Sequence, residues 1–138
     1  MSPHEDAYHE MCCYTLAHSD PSFIHQHVVD AFGAQNAPEH DRSIGFTFAL
    51  IGLYLYVEKG FTGKQVQQAH AQLARNKIQW PDFQMPKDRG EINVIDVLMA
   101  AAGAERDQMI HNWCVAVWKA FSSNRELVNS LLQNSDIL

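Results

Sequence analysis

Apolar residues recur along this chain at intervals of three and four positions, which is the spacing of one face of an α-helix. The stripe is clearest between Glu105 and Phe121, where it comprises Ile110, Trp113, Cys114, Val117, Trp118 and Phe121. After Pro21 a second stripe comprises Ile24, His27, Val28, Ala31 and Phe32. No segment has the strict alternation of a half-buried strand. The pattern therefore predicts an all-α protein of six or seven helices, packed as a single compact bundle.

Capping residues predict where several of these helices begin. Ser2 and Thr62 each precede a glutamate or glutamine by three positions, which is the capping-box spacing, and Ser123 stands in the same relation to Glu126. Asp20 is predicted as the N-cap of the second helix, with Pro21 in its first turn.

The third helix is predicted to begin near Asp41 or Ser43 and to end at Gly60. It is apolar nearly all round, so we expect it at the centre of the bundle. Its apolar stretch of about 14 residues is shorter than the roughly 20 that a membrane span needs. A stripe of small residues along it favours the close approach of a neighbouring helix: Gly45, Ala49 and Gly52.

The helical pattern fails between Lys77 and Glu91. Trp80–Pro86 contains two prolines and large apolar side chains, which indicates a long loop folded back onto the bundle. A short fifth helix is predicted at Val94–Ala102, ended by Gly103.

Composition and charge exclude several classes of protein. The chain has 138 residues, 46% of them hydrophobic and 19% charged, which is typical of one globular domain spanning residues 1–138. A net charge of −6 argues against nucleic acid or an anionic membrane as the main partner. The N-terminus lacks the basic and apolar regions of a secretory signal, so we expect a cytoplasmic protein.

The three cysteines are few and odd in number, which argues against a disulfide framework. Cys12 and Cys13 are adjacent, Cys114 is distant, and no C-x-x-C pair is present. Free thiols in a reducing compartment are the expectation.

The eight histidines offer the main chemical hypothesis. His27 and His70 occupy inward positions of the second and fourth helices, Asp30 lies one turn after His27, and His111 flanks the inward face of the sixth helix. Imidazole and carboxylate groups on facing helices are typical ligands of divalent transition metals, so a metal site of His27, Asp30, His70 and His111 is predicted. The alternative is that the inward histidines are hydrogen-bonded core residues, with Asp30 orienting the imidazole.

Two functions compete at this point. In the first, the bundle binds a divalent metal or a small molecule through these inward groups, and the Trp80–Pro86 loop serves as a lid. In the second, the protein is a non-catalytic interaction module that forms a homodimer. The second rests on a surplus of large apolar residues for so short a chain: Trp80, Phe83, Trp113 and Trp118. Phosphate-binding and hydrolase motifs are absent from the sequence, and no catalytic residue is predicted.

Three stretches of the sequence are similar to a known family. They are Tyr14–Gln35, Ile51-Gly52-Leu53 with Glu58-Lys59-Gly60, and Trp113–Phe121. Together they resemble a family of small helical bacterial proteins that is catalogued only as a domain of unknown function. The matching positions in the first stretch are His25, Asp30, Ala31 and Gln35. The resemblance spans roughly Tyr14 to Leu132 and implies a helical fold, without assigning a reaction, substrate or site residue.

Overall fold

A computed structural model describes residues 2–17, 20–40, 43–76 and 80–138 of the chain. Within these ranges the backbone forms seven α-helices and one short 3-10 helix and no strand, so the all-α prediction is confirmed. The helices are α1 Pro3–Leu16, α2 His25–Gln35, α3 Ile44–Lys59, α4 Gly63–Ala74, α5 Val94–Met99, α6 Ala104–Ala120 and α7 Arg125–Asn134, with the 3-10 helix at Ser122–Asn124 between the last two.

Helix α3 lies at the centre of the bundle, as its apolar sequence predicts. It packs against α2, α4, α6 and α7. Its side chains are buried on every face over two turns, and the buried residues are Phe46, Thr47, Ala49, Leu50, Ile51, Gly52, Leu53, Tyr54 and Leu55. None of the helices in the described ranges is long and apolar enough to cross a membrane.

Several predicted helix ends are confirmed by their hydrogen bonds. The Ser2 hydroxyl accepts from the backbone N–H of Glu5, and Thr62 forms a complete capping box with Gln65. Gly60 ends α3 in the left-handed conformation that glycine adopts without strain. Ser43 is the N-cap of α3. The other predicted start of that helix, Asp41, lies outside the described residues.

The predicted start of α2 at Asp20 is wrong. The Asp20 carboxylate accepts hydrogen bonds from the backbone N–H groups of Ser22 and Ile24, at 3.0 and 2.7 Å, and closes a turn rather than a helix. Phe23 then has a φ of 59°, in the left-handed region, which interrupts any helix that Asp20 would begin. Helix α2 therefore begins at His25.

Helix α5 ends at Met99 rather than at Ala102 as predicted. The Arg106 guanidinium donates hydrogen bonds to the carbonyl oxygens of Leu98 and Ala100, at 2.9 and 3.2 Å. The Arg106 side chain therefore binds carbonyl oxygens that would accept backbone N–H groups if the helix continued for another turn.

The predicted capping box at Ser123 is also wrong. Residues Ser122–Asn124 form a 3-10 helix, and no side chain caps α7. The Asn124 side chain, fully buried, binds the loop instead: it accepts from the backbone N–H of Gln84 at 2.7 Å and donates to the Gln84 carbonyl at 2.9 Å.

The Trp80–Pro86 loop is irregular, as predicted, and lies against the first half of α3. The Trp80 ring contacts Phe48 edge-on at 5.6 Å between centroids, and Phe83 contacts Phe46 in the same manner at 6.1 Å. Asn124 binds the middle of the loop, and the partly buried side chains of Trp80, Phe83 and Met85 pack against the core.

Candidate functional site

Helix α2 carries the two most deeply buried ionisable side chains of the predicted set. His27 and Asp30 are only 4% and 3% exposed. They lie three residues apart and so share one helix face, which α2 turns toward its neighbours α1, α3, α4 and α6. The sequence stripe put His27 on this inward face, and its burial is confirmed.

The Asp30 carboxyl fits against α3 because residue 52 is a glycine. A Cβ atom at Gly52 would lie 1.9 Å from Asp30 Oδ2, so no larger residue leaves room for the carboxyl group. Its other oxygen, Oδ1, accepts a hydrogen bond of 3.0 Å from the Gln26 side-chain amide. Burial raises the pKa of Asp30 well above its usual range, which favours the neutral acid.

His27 lies under the ring of Tyr56. The two rings stack with their centroids 3.6 Å apart and their planes 13° apart. The Cys114 thiol of α6 donates to the His27 carbonyl oxygen at 3.6 Å, which ties this part of α2 to α6. Burial lowers the pKa of His27 to about 4, so the imidazole is neutral near pH 7.

His27 Nδ1 and Asp30 Oδ2 are distinguished by having no hydrogen-bond partner. Among the described residues they are the buried side-chain polar atoms left unpaired. An unpaired buried polar group costs about 1–3 kcal/mol and calls for an explanation, such as a bound water, an ion or a functional role. Two such atoms one turn apart therefore mark a candidate binding centre.

His111 lies next to this centre but touches it only through Tyr56. Its Nδ1 and the Tyr56 hydroxyl share a hydrogen bond of 2.8 Å, and the two rings meet edge-on at 5.5 Å. The His111 side chain is exposed to solvent. Tyr56 therefore separates an exposed histidine from a buried one.

His70 lies at a different part of α3. Its ring stacks on Phe48 at 4.6 Å, and its Nε2 donates to the Phe48 carbonyl oxygen at 2.8 Å. Phe48 and Tyr56 are eight residues apart, which is about 12 Å along a helix axis. The structure thus brings His27 and Asp30 side by side, with His111 beyond Tyr56, and places His70 two turns away along α3. No group of three or more His, Cys, Asp or Glu within the described ranges is arranged to hold a metal ion.

Sequence reasoning did not identify Gly52 and Tyr56 as parts of the site. Gly52 carried a partial signal, since it belongs to the small-residue stripe that favours close helix packing. No sequence signal marks Tyr56, because its stacking on His27 depends on the angle and register at which α2 crosses α3. His25, by contrast, faces away from this centre and bonds to Thr15 Oγ1 at 2.8 Å.

A surface cleft of about 330 Å³ reaches Asp30 from the side of α1. Its walls are mostly apolar, and the residues that line it are Tyr8, Val29, Asp30, Phe32, Gly33, Ser43, Gly45, Phe46 and Ala49. The Tyr8 and Phe32 rings stack at 4.0 Å on one side. Ala49 precedes Gly52 by one helical turn, so the cleft ends about one turn from the unpaired Asp30 oxygen.

Fold and site together define a small helical bundle with a buried imidazole and a buried carboxyl group on one face of α2, and an apolar cleft that Asp30 lines. Residues 5–122 match the family described as a family of unknown function, DUF5946, and the chain belongs to this family. No curated protein and no solved structure matches the chain.

Proposed function

We propose that this protein binds a small ligand in the cleft between α1, α2 and α3, with Asp30 as a polar contact. The observation that carries the proposal is the unpaired buried atom Asp30 Oδ2, which belongs to a residue that lines the cleft. Binding sites are commonly apolar concavities with a few convergent polar groups, and this cleft has that composition.

The stability cost of the two unpaired atoms supports a binding role over a structural one. An apolar pair of similar shape at positions 27 and 30 avoids a penalty of about 1–3 kcal/mol for each atom. A ligand that hydrogen-bonds to Asp30 Oδ2 recovers the cost of that atom on binding, so a group that weakens the empty fold strengthens the complex.

The test is an amide-resolved NMR titration of the chain with benzyl alcohol, benzamide and benzylammonium. We expect at least one of these probes to shift the amide signals of Val29, Gly33 and Gly45, which line the cleft. Gly45→Leu adds a side chain to the exposed wall of the cleft, where a Cβ meets only the Ser43 hydroxyl at 3.7 Å, and should abolish the shifts. Ala71→Leu, on an exposed position of α4, is the matched control and should preserve them. Shifts that persist in Gly45→Leu, or no shifts with any probe, would refute the proposal.

The same titration with Zn²⁺, Ni²⁺ and Mn²⁺ tests the predicted metal site. A site of His27, Asp30, His70 and His111 requires all four side chains, so His70→Asn and His111→Asn must each weaken metal binding if that prediction is right. The chain is purified without an affinity tag, because a tag supplies histidines of its own.

The homodimeric interaction module is the alternative. The large aromatic residues that motivated it pack within the chain: Trp113 and Trp118 are buried, and their indole N–H groups donate to the side chains of Gln35 and Glu58. Light scattering at high protein concentration tests the alternative, which requires a mass twice that of one chain.

A further inference from the structure

Asp30 is the one acidic residue among the described residues that line the cleft, and its surroundings limit which ligands the cleft suits. The Asp30 Oδ1 atom receives one neutral donor, the Gln26 amide, and Oδ2 receives none. Within the described residues, no lysine or arginine forms an ion pair with Asp30. A buried carboxylate is costly until it is paired with a positive charge and hydrogen-bonded. A ligand that brings both an N–H donor and a positive charge therefore gains more here than a neutral donor.

The walls of the cleft favour the same kind of ligand. Three of the lining residues are aromatic: Tyr8, Phe32 and Phe46. Aromatic faces attract cations through their quadrupole, and this attraction strengthens where water is excluded. The net charge of −6 adds a long-range field that concentrates cations around the molecule.

We infer that the ligand of the cleft is an organic ammonium, whose N–H groups pair with the Asp30 carboxylate while its apolar part lies against Tyr8, Phe32 and Phe46. This inference rests on the proposed function. Asp30 exchanges its proton for the ammonium group: the acid O–H bond breaks, the proton passes to the buffer, and the carboxylate accepts the ligand N–H bonds. Burial raises the pKa of Asp30 in the empty protein, which favours the neutral acid as the starting form.

The test compares benzylammonium with benzyl alcohol, which has a similar shape and no charge, by calorimetry at pH 7.5 in two buffers of different ionisation enthalpy. We expect benzylammonium to bind at least tenfold more tightly and to release protons, which makes the apparent binding enthalpy differ between the two buffers. Asp30→Asn keeps the shape of the side chain and removes its charge, so it should abolish both the preference and the proton release. Its fold is checked by circular dichroism and by the dispersion of its amide spectrum.

The outcomes separate the two claims. If neither probe binds, the proposed function fails together with the inference. Equal binding of the alcohol and the ammonium would leave the cleft as a ligand site and overturn the ammonium assignment. The assignment is also overturned if Zn²⁺ shifts the cleft amides while benzylammonium does not, or if Asp30→Asn retains the preference in a folded chain.

Discussion

His27 links the buried centre to the stability of the protein through its protonation. Its pKa is lowered from the ordinary value of 6.5 to about 4, first by burial, and the charge of exposed His111 acts in the same direction while Asp20 opposes it. The unfolded chain therefore binds a proton that the folded chain does not between pH 6.5 and 4. Stability is lost as the pH falls through this window, by up to about 3 kcal/mol for a difference of this size.

Replacing His27 by phenylalanine should remove this loss. His27→Phe preserves a ring for Tyr56 to stack on and deletes the unpaired Nδ1, so the free energy of unfolding should change less between pH 6.5 and 4 than in the natural chain. Asp30 affects the pH dependence of stability with the opposite sign: because its pKa is raised, the stability that it contributes is lost as the pH rises. In His27→Phe the free energy of unfolding should therefore be constant over this range or increase toward acid pH. Urea unfolding over this pH range measures the effect. His4→Ala, at an exposed position of α1, is the control and should follow the natural profile. An unchanged slope in His27→Phe would contradict the assignment of a buried neutral imidazole.

At the residue scale, the sequence predicts which side chains are buried better than it predicts which residues they contact. A stripe at helical spacing is sufficient to place His27 on the inward face, because the period of a helix is fixed. The partner of an inward residue depends on the register between helices, which the stripe does not contain. His27 and His70 were therefore predicted to meet in one centre, whereas their rings stack on residues of α3 that are about 12 Å apart along the helix.

The crossing of α2 over α3 depends on small residues at two successive turns. A Cβ at Gly33 would lie 3.6 Å from Ala49 Cβ, an ordinary contact, whereas a Cβ at Gly52 would lie 1.9 Å from Asp30 Oδ2. The stripe of Gly45, Ala49 and Gly52 predicted a close helix neighbour, and α2 occupies that place. Which helix would occupy it could not be read from the stripe, since any helix with a matching small or polar residue fits.

Substitutions at these two glycines should therefore have opposite effects. Gly52→Ala should destabilise the protein by about 1–3 kcal/mol, because the added methyl group displaces the buried carboxyl group or separates the helices. Gly33→Ala, one turn away in the same interface, should be neutral or stabilise by up to about 1 kcal/mol through helix propensity. Chemical denaturation measures both.

Asp30→Ala, combined with Gly52→Ala, tests whether the Asp30 carboxyl group causes the cost of adding a methyl group at position 52. It removes the group that an alanine at position 52 would meet, so the double variant Asp30→Ala with Gly52→Ala should be more stable than the sum of the single effects predicts. Strict additivity would show that the carboxyl group does not occupy the space above Gly52.

At the scale of the whole molecule, the first half of α3 is covered on one side by a loop rather than by another helix. The prolines and the spacing of Trp80–Pro86 predicted the irregular backbone, because two close prolines exclude a regular helix. The means by which the loop is held could not be predicted. Asn124 lies 40 residues further along the chain from Gln84, and the capping-box pattern assigns the cap of the last helix to its neighbour Ser123. Whether the loop could serve as a lid depends on where it packs, which the sequence does not predict. Trp80 packs on Phe48, the residue on which His70 also stacks, rather than on Tyr56 above His27.

Asn124 should therefore control the stability of the loop and, through it, of the bundle. Asn124→Ala removes the side chain that pairs with both backbone groups of Gln84 and also donates to the Phe121 carbonyl, so we expect a loss of about 2–3 kcal/mol in the free energy of unfolding. The loop should also open more often than the helices, since its backbone loses its fixed partners. Limited trypsin digestion would then cleave first after Lys87 or Arg89.

Gln84→Ala is the matched control: only the backbone of Gln84 makes these contacts and its side chain is exposed, so this variant should match the natural chain in stability and digestion. Equal behaviour of the two variants would show that other contacts hold the loop without Asn124, whereas early cleavage confined to Asn124→Ala would assign the closure of the bundle to one buried amide.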